Sequence, residues 1–190
     1  MQINSDFFKN SINEINLLIK DLNQYIPFVE DLANKISELK DTQNNIYILG
    51  NGGSFSDADH FCGELSGRFE KERIALPASS MCSIATMTSI ANDYGFEYIF
   101  SKQLEQKLKS TDILIAFTTS GKSENIIKAI EIGINKNCII FAFTGKDGLR
   151  IKNPLINECK VSSKRTCRIQ EIHSILIHLI CEKIDHLLKN

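Results

Sequence analysis

An α/β domain built on a parallel sheet is the fold this sequence predicts, and three observations carry that prediction. From residue 45 onward, short apolar runs alternate with segments of helical period, the pattern of stacked βα units. The run Ile46-Tyr47-Ile48-Leu49 ends in glycines and opens onto a helical pattern, which reads as a buried parallel strand, a tight turn and a helix start. The chain has 190 residues, 43% of them hydrophobic, enough for one domain with a sizeable core.

The elements follow in order. Phe7, Ile12, Ile15, Leu17, Leu18 and Leu22 fit one amphipathic helix, and Phe28, Leu32, Ile36 and Leu39 fit a second, with Pro27 marking the break. Residues 1–40 thus form an N-terminal helical extension, which packs either on a sister subunit or on its own sheet. Residues 41–190 form the α/β domain. Its strands are expected at 46–49, 78–82, 113–117, 138–143 and 158–161, and its helices at 56–69, 84–91, 97–107, 123–135 and 167–188.

Composition excludes several classes. With 22 basic and 23 acidic residues the formal net charge is −1, so no electrostatic case exists for nucleic acid or an anionic membrane. No apolar stretch approaches the ~20 residues of a membrane span, and the polar start is no signal peptide. Cys62, Cys82, Cys138, Cys159, Cys167 and Cys181 are scattered without a C-x-x-C pair, which suits small core hydrophobes in a reducing cytoplasm. Nothing selects one of them as reactive.

Three segments carry chemistry. In Gly50-Asn51-Gly52-Gly53-Ser54 the glycines allow close backbone approach, and free N–H groups at the following helix start favour an anion. His60 and Glu64 share a helix face just beyond it. The bland reading is turn punctuation. The second segment is Thr118-Thr119-Ser120-Gly121-Lys122-Ser123, four hydroxyls and a glycine between a strand and a helix, suited to a phosphate dianion. Its spacing is not that of a Walker A loop, and its bland reading is a hydroxyl-rich turn with Ser123 as an ordinary N-cap. Loops at the carboxyl ends of parallel strands share one crevice, so both segments should face one ligand. The third segment, Arg168-Ile169-Gln170-Glu171-Ile172-His173, opens a helix that also carries His178 and His186. Gln170 and His178 are about 12 Å apart along an ideal helix, so spacing alone does not make them ligands of one metal.

Together these motifs resemble a known family. GNGGS-x-x-D-x-x-H-x-x-x-E-L-x-G-R-F (50–69), A-N-D-Y-G-F-E (91–97), T-S-G-K-S (119–123), T-G-K-D-G (144–148) and R-I-Q-E-I-H-x-x-x-x-H (168–178) resemble, in order and over nearly the whole chain, the phosphoheptose isomerases of the sugar-isomerase (SIS) domain group. T-S-G-x-S alone indicates only an SIS domain; His60, Glu64, Gln170 and His178 together are more specific.

The resemblance implies a single SIS domain with a parallel five-stranded sheet flanked by helices, usually in a homotetramer whose N-terminal helices form the central bundle. It implies interconversion of sedoheptulose 7-phosphate and D-glycero-D-manno-heptose 7-phosphate, the entry to heptose for bacterial surface polysaccharide, whether lipopolysaccharide or capsule. The implied zinc ligands are His60, Glu64, Gln170 and His178, one ion per subunit, with Glu64 and His178 also the acid/base pair. Substrate contacts fall on Asn51, Gly52, Gly53, Asn92, Asp93, Thr118, Thr119, Ser120, Ser123 and Gln170. Sites in this family form between subunits. The chemistry suits the residue types, because aldose–ketose isomerisation needs a base at carbon and an acid at oxygen. Arg68, one turn past Glu64, either orients it, meets the substrate or is a surface arginine. The chain departs from the family at 162–167, where Lys164 and Arg165 replace acidic residues, and at Phe117-Thr118, where relatives carry small residues; either change would act at the sugar end of the pocket. The alternative is a non-catalytic SIS-domain scaffold binding the replication initiator protein, which need not retain His60, Glu64 and His178 together.

Overall fold

The computed structural model describes residues 5–189. Its strands are β1 (Ile46–Gly50), β2 (Ala78–Ser80), β3 (Ile113–Thr118), β4 (Ile139–Thr144) and β5 (Ile156–Lys160). All pair in parallel, in the order β2-β1-β3-β4-β5. That order reverses direction between β1 and β3, and the crevice beyond the carboxyl ends of two such strands is where ligands bind in open α/β sheets. In register, Gly50 stands opposite Phe117, so the loops leaving β1 and β3 emerge side by side.

Helices α1 (Ser5–Lys20), α2 (Ile26–Ser37), α3 (Gly53–Ser66) and α7 (Thr166–Leu187) lie on one side of the sheet, and α5 (Ser101–Lys107) and α6 (Glu124–Asn135) on the other; α4 (Ile84–Tyr94) precedes α5. The strands feed both faces by period-two alternation. Ile46, Ile48, Ile113, Ile115 and Phe117 join Leu32, Ile36, Phe61, Leu65, Leu176 and Ile180. Tyr47, Leu49, Leu114 and Ala116 join Phe100, Leu104, Ile126 and Ile130. Each such Leu, Ile or Phe, once fully buried, contributes about 1.5–3 kcal/mol. β3 is buried from end to end, which is why its sequence is apolar without alternation.

The elements differ from expectation mainly at their ends. Pro27 marks the break as expected and stands in the first turn of α2, which needs no N–H from it. α3 begins three residues early, at Gly53, since Gly52 adopts φ +56° and turns the chain straight out of β1. The helix expected at 97–107 is split into a 3₁₀ turn, Phe96–Tyr98, and α5, where bonds such as Ile99 N–H to the Phe96 carbonyl tighten the turn. β5 lies two residues early because Asn153 turns the chain, its side chain accepting from the Leu155 N–H at 2.9 Å.

The two N-terminal helices behave differently. α2 buries Val29, Leu32, Ala33 and Ile36 against the core, covering its own sheet. On α1, Phe7, Phe8, Ile12, Leu17 and Ile19 stay exposed. α4 buries no residue at all, and its Ile84 is 77% exposed. Among the described residues no helix is long and apolar enough to cross a membrane.

Candidate active site

A cleft of about 250 Å³ opens at the reversal between β1 and β3, lined by Asn51, Gly52, Gly53 and Ser54 from the first loop and by Phe117, Thr118, Thr119 and Ser123 from the second. Thr166 and Gln170 close it from the start of α7. Both helix starts that point into it, those of α3 and α6, lack a side-chain cap. Ser123 stands at the N-cap position of α6 yet caps nothing, so the ordinary-cap reading fails. Uncapped N–H groups at two helix starts make the cleft an anion cradle.

Packing explains the glycines. A Cβ on Gly53 would lie 2.4 Å from the Gln170 amide nitrogen, so glycine is what lets Gln170 rest on the first turn of α3. Gly121, at φ +65°, would place a Cβ 1.9 Å from the Gly148 carbonyl oxygen. The T-S-G and T-G-K-D-G loops therefore touch backbone to backbone. Thr118 Oγ1 accepts from the Gly121 N–H at 3.2 Å and Ser120 Oγ from the Lys122 N–H at 3.2 Å, holding the loop's shape. Ser120 itself faces a neighbouring pocket of about 290 Å³ that it shares with Thr119, Lys122, Lys146 and Lys164.

Asn51 is less available than the motif suggested. Its amide and that of buried Asn125 exchange two hydrogen bonds of 2.8 Å each, tying the β1 loop to α6. Asn125, the second residue of α6, carries no motif signal; only the fold shows its role. Asn92 and Asp93 sit on the exposed last turn of α4, joined at 2.8 Å, and neither lines the cleft.

Lower on the α3–α7 seam the structure brings His60, Glu64 and His178 together. His60 Nε2 lies 3.2 Å from Glu64 Oε1 and 3.4 Å from His178 Nε2. The two imidazoles meet edge to face, and Phe69 stacks on His178 at 5.7 Å. The trio is open to solvent, with the His60 side chain 40% exposed and that of Glu64 26%. One turn above it Ser174 donates to Asp57 Oδ1 at 2.9 Å, leaving Asp57 Oδ2 buried without a partner. Burial raises the Asp57 pKa, partly offset by that hydrogen bond. Gln170 remains two helical turns nearer the cleft, and among the described residues no hydrogen bond joins it to the trio.

The donor set suits zinc in type and spacing. Nitrogen and oxygen ligands at ~2.0–2.1 Å from a tetrahedral ion lie about 3.3 Å from one another. His60 Nε2 meets two lone-pair-bearing atoms at close to that distance and carries at most one proton, so a cation relieves the crowding. The contacts form an open chain, however, and no group of three or more His, Cys, Asp or Glu among the described residues encloses an ion site.

Other residues resolve plainly. Arg68 pairs with Glu72 at 3.3 Å on the surface and does not reach Glu64. Arg165 pairs with Glu14 of α1, and Lys164 with Asp147, so neither lines the cleft. His173 is fully buried among Phe117 and Phe143, its Nε2 donating to the Thr144 carbonyl at 3.3 Å. Burial pushes its pKa down to about 4. Burial likewise pushes the Cys138, Cys159 and Cys181 thiols up to about 12, which makes them inert.

Residues 8–145 match the SIS domain family. A curated phosphoheptose isomerase from Shewanella halifaxensis is 47% identical over 149 residues, 76% of each chain. One from Fusobacterium nucleatum is 41% identical over 159 residues, 84% of this chain and 82% of its own. Among solved structures, phosphoheptose isomerases from Francisella tularensis and Neisseria gonorrhoeae superpose with TM-scores of 0.85 and 0.81, at 33% and 32% identity, each over 96% of both chains. By this likeness the chain belongs to the phosphoheptose isomerase family of SIS-domain proteins.

Proposed function

We infer that this protein interconverts sedoheptulose 7-phosphate and D-glycero-D-manno-heptose 7-phosphate. The observation that carries this reading is one seam, between α3 and α7, with an anion cradle at its upper end and a His/Glu/His trio below. A substrate with its phosphate at one end and its reacting carbonyl at the other matches that division. The substrate phosphate is received by Thr119 and Ser123 with the α6 N-terminus behind them, and by Ser120 from the neighbouring pocket that Thr119 also lines. Gly52, Gly53 and Thr118 shape the floor. Asn92 and Asp93, remote from the cleft within one chain, meet substrate in a neighbouring subunit.

Glu64 takes the proton from C1 of the ketose, and His178 supplies a proton to the carbonyl oxygen at C2. The resulting enediol collapses to the aldose as the proton returns to C2 and the O1 proton leaves. His60 holds Glu64 and His178 at contact distance from itself and so fixes their spacing. Zinc, one ion per subunit, would be held by His60, Glu64 and His178, with Gln170, which rests on Gly53 in this chain, as the fourth ligand. When bound, the ion polarises the carbonyl and stabilises negative charge on its oxygen.

The exposed apolar residues of α1 and the unburied α4 support a homotetramer. Light scattering on the purified protein should show about four chains per particle, and a fully active monomer would overturn this. Six cysteines without a disulfide suit the cytoplasm, where the product would feed heptose into lipopolysaccharide or capsule. No observation favours a non-catalytic scaffold. Incubating the protein with sedoheptulose 7-phosphate and following aldose formation by NMR tests the reaction directly; no aldose with zinc supplied would refute it.

A further inference from the structure

Arg73 and Asp185 form the most enclosed ion pair among the described residues, and neither belongs to any motif of the site. Their side chains are 0% and 2% exposed, with Arg73 Nε donating to Asp185 Oδ1 at 2.9 Å. The rest of the guanidinium fork reaches the end of α3. Nη2 donates to the Glu64 carbonyl at 2.6 Å, and Nη1 to the carbonyls of Leu65 at 3.1 Å and Gly67 at 3.3 Å. The last carbonyls of a helix lack partners within it, so Arg73 is what fastens the turn that carries Glu64.

Asp185 works in the opposite direction. It lies seven residues beyond His178, two turns down the same face of α7. Its Oδ2 accepts from the backbone N–H groups of Glu70 and Lys71 at 2.9 and 2.8 Å. Those residues directly follow Phe69, whose ring stacks on His178 with 29° between planes. One ion pair therefore grips α3 at Glu64, α7 below His178 and the segment that sets Phe69 against His178.

We propose that Arg73 and Asp185 are positioning residues for the isomerase reaction: their pair fixes the register of α3 against α7, so that Glu64 and His178 meet the substrate in productive geometry. The proposal rests on the acid/base reading above. A displacement of about 1 Å at reacting groups can cost ~10²-fold in rate. The more obvious orienting residue in the sequence, Arg68, sits one turn from Glu64 but pairs outward with Glu72.

The test compares Asp185→Asn and Arg73→Lys with the wild type at a temperature where circular dichroism shows all three folded. Turnover should fall about 10- to 100-fold, with KM for sedoheptulose 7-phosphate within about threefold of wild type. In the same samples, the His178 ring protons should lose the ring-current shift imposed by Phe69. With only four histidines in the chain, the His178→Gln spectrum assigns them. Should Asp185→Asn not fold, Arg73→Lys, which keeps the charge pair but loses the fork to the α3 carbonyls, is read in the same way. A lowered melting temperature with unchanged turnover and unchanged His178 signals would reduce the pair to a structural role and overturn the proposal. A wild type that does not isomerise sedoheptulose 7-phosphate would sink the functional reading alone, because the His178 signals still decide the clamp.

Discussion

The upper and lower ends of the α3–α7 seam are built on different principles. The cradle is made largely of backbone: two uncapped helix starts and loops pressed together at Gly121 and Gly148. It stands on the carboxyl ends of β1 and β3, whose residues are buried, and its lining comes from three segments of the chain. The trio is made of side chains projecting from two helices, lies open to solvent and forms an open chain of contacts. Backbone donors are placed as soon as the sheet forms, whereas side-chain groups depend on helix register and on what covers them. The first end is suited to holding a charge and the second to moving a proton.

The largest effect should come from the lower end. Glu64→Gln and His178→Ala should each reduce turnover ~10²–10⁴-fold while the protein folds normally, as loss of a general acid or base does. If both retained near wild-type rates, the trio would not be the reacting centre and the contrast between the two ends would collapse.

The next effect concerns what lies under the cradle. His173 supports the Thr144 carbonyl at the end of β4, and its pKa falls from 6.5 to about 4 on folding. The unfolded chain thus binds a proton that the native state refuses. Stability from this group is complete above pH 6.5 and is lost as pH falls toward 4, by up to about 3 kcal/mol. Urea titrations at pH 7 and pH 5 should show a lower midpoint in acid, with His173→Gln losing much of that dependence. A wild type equally stable at both values would contradict the burial argument.

The smallest effects should come from the side chains of the hydroxyl loop beside the cradle, since the backbone donors survive substitution. Ser120→Ala should raise KM by about 1.5–3 kcal/mol in equivalent free energy, roughly 10- to 100-fold, because it removes a hydrogen bond to a charged group. Lys122→Ala should do much less, as Lys122 is exposed and its backbone N–H, not its ammonium, shapes the loop. A dominant lysine would mean that charge rather than fixed donors holds the phosphate, and the two ends would then be built alike.

Much of this was legible in the amino-acid order. The continuous apolar strands, the glycine loop after β1 and the hydroxyl loop after β3 are local signals, because a buried strand, a tight turn and a helix start each impose their own residue types. His60 and Glu64 were likewise readable as one helix face, since a four-residue spacing decides it. What tertiary structure alone decided is everything that joins distant segments. That Asn51 is occupied by Asn125, that Arg73 and not Arg68 secures the turn bearing Glu64, that Gln170 rests on Gly53 while His178 meets His60, and that α2 covers the sheet while α1 leaves most of its apolar residues bare, all follow from how helices pack on a common sheet. Local sequence dictates period and turn, but the register between two helices emerges only when their side chains compete for the same buried space.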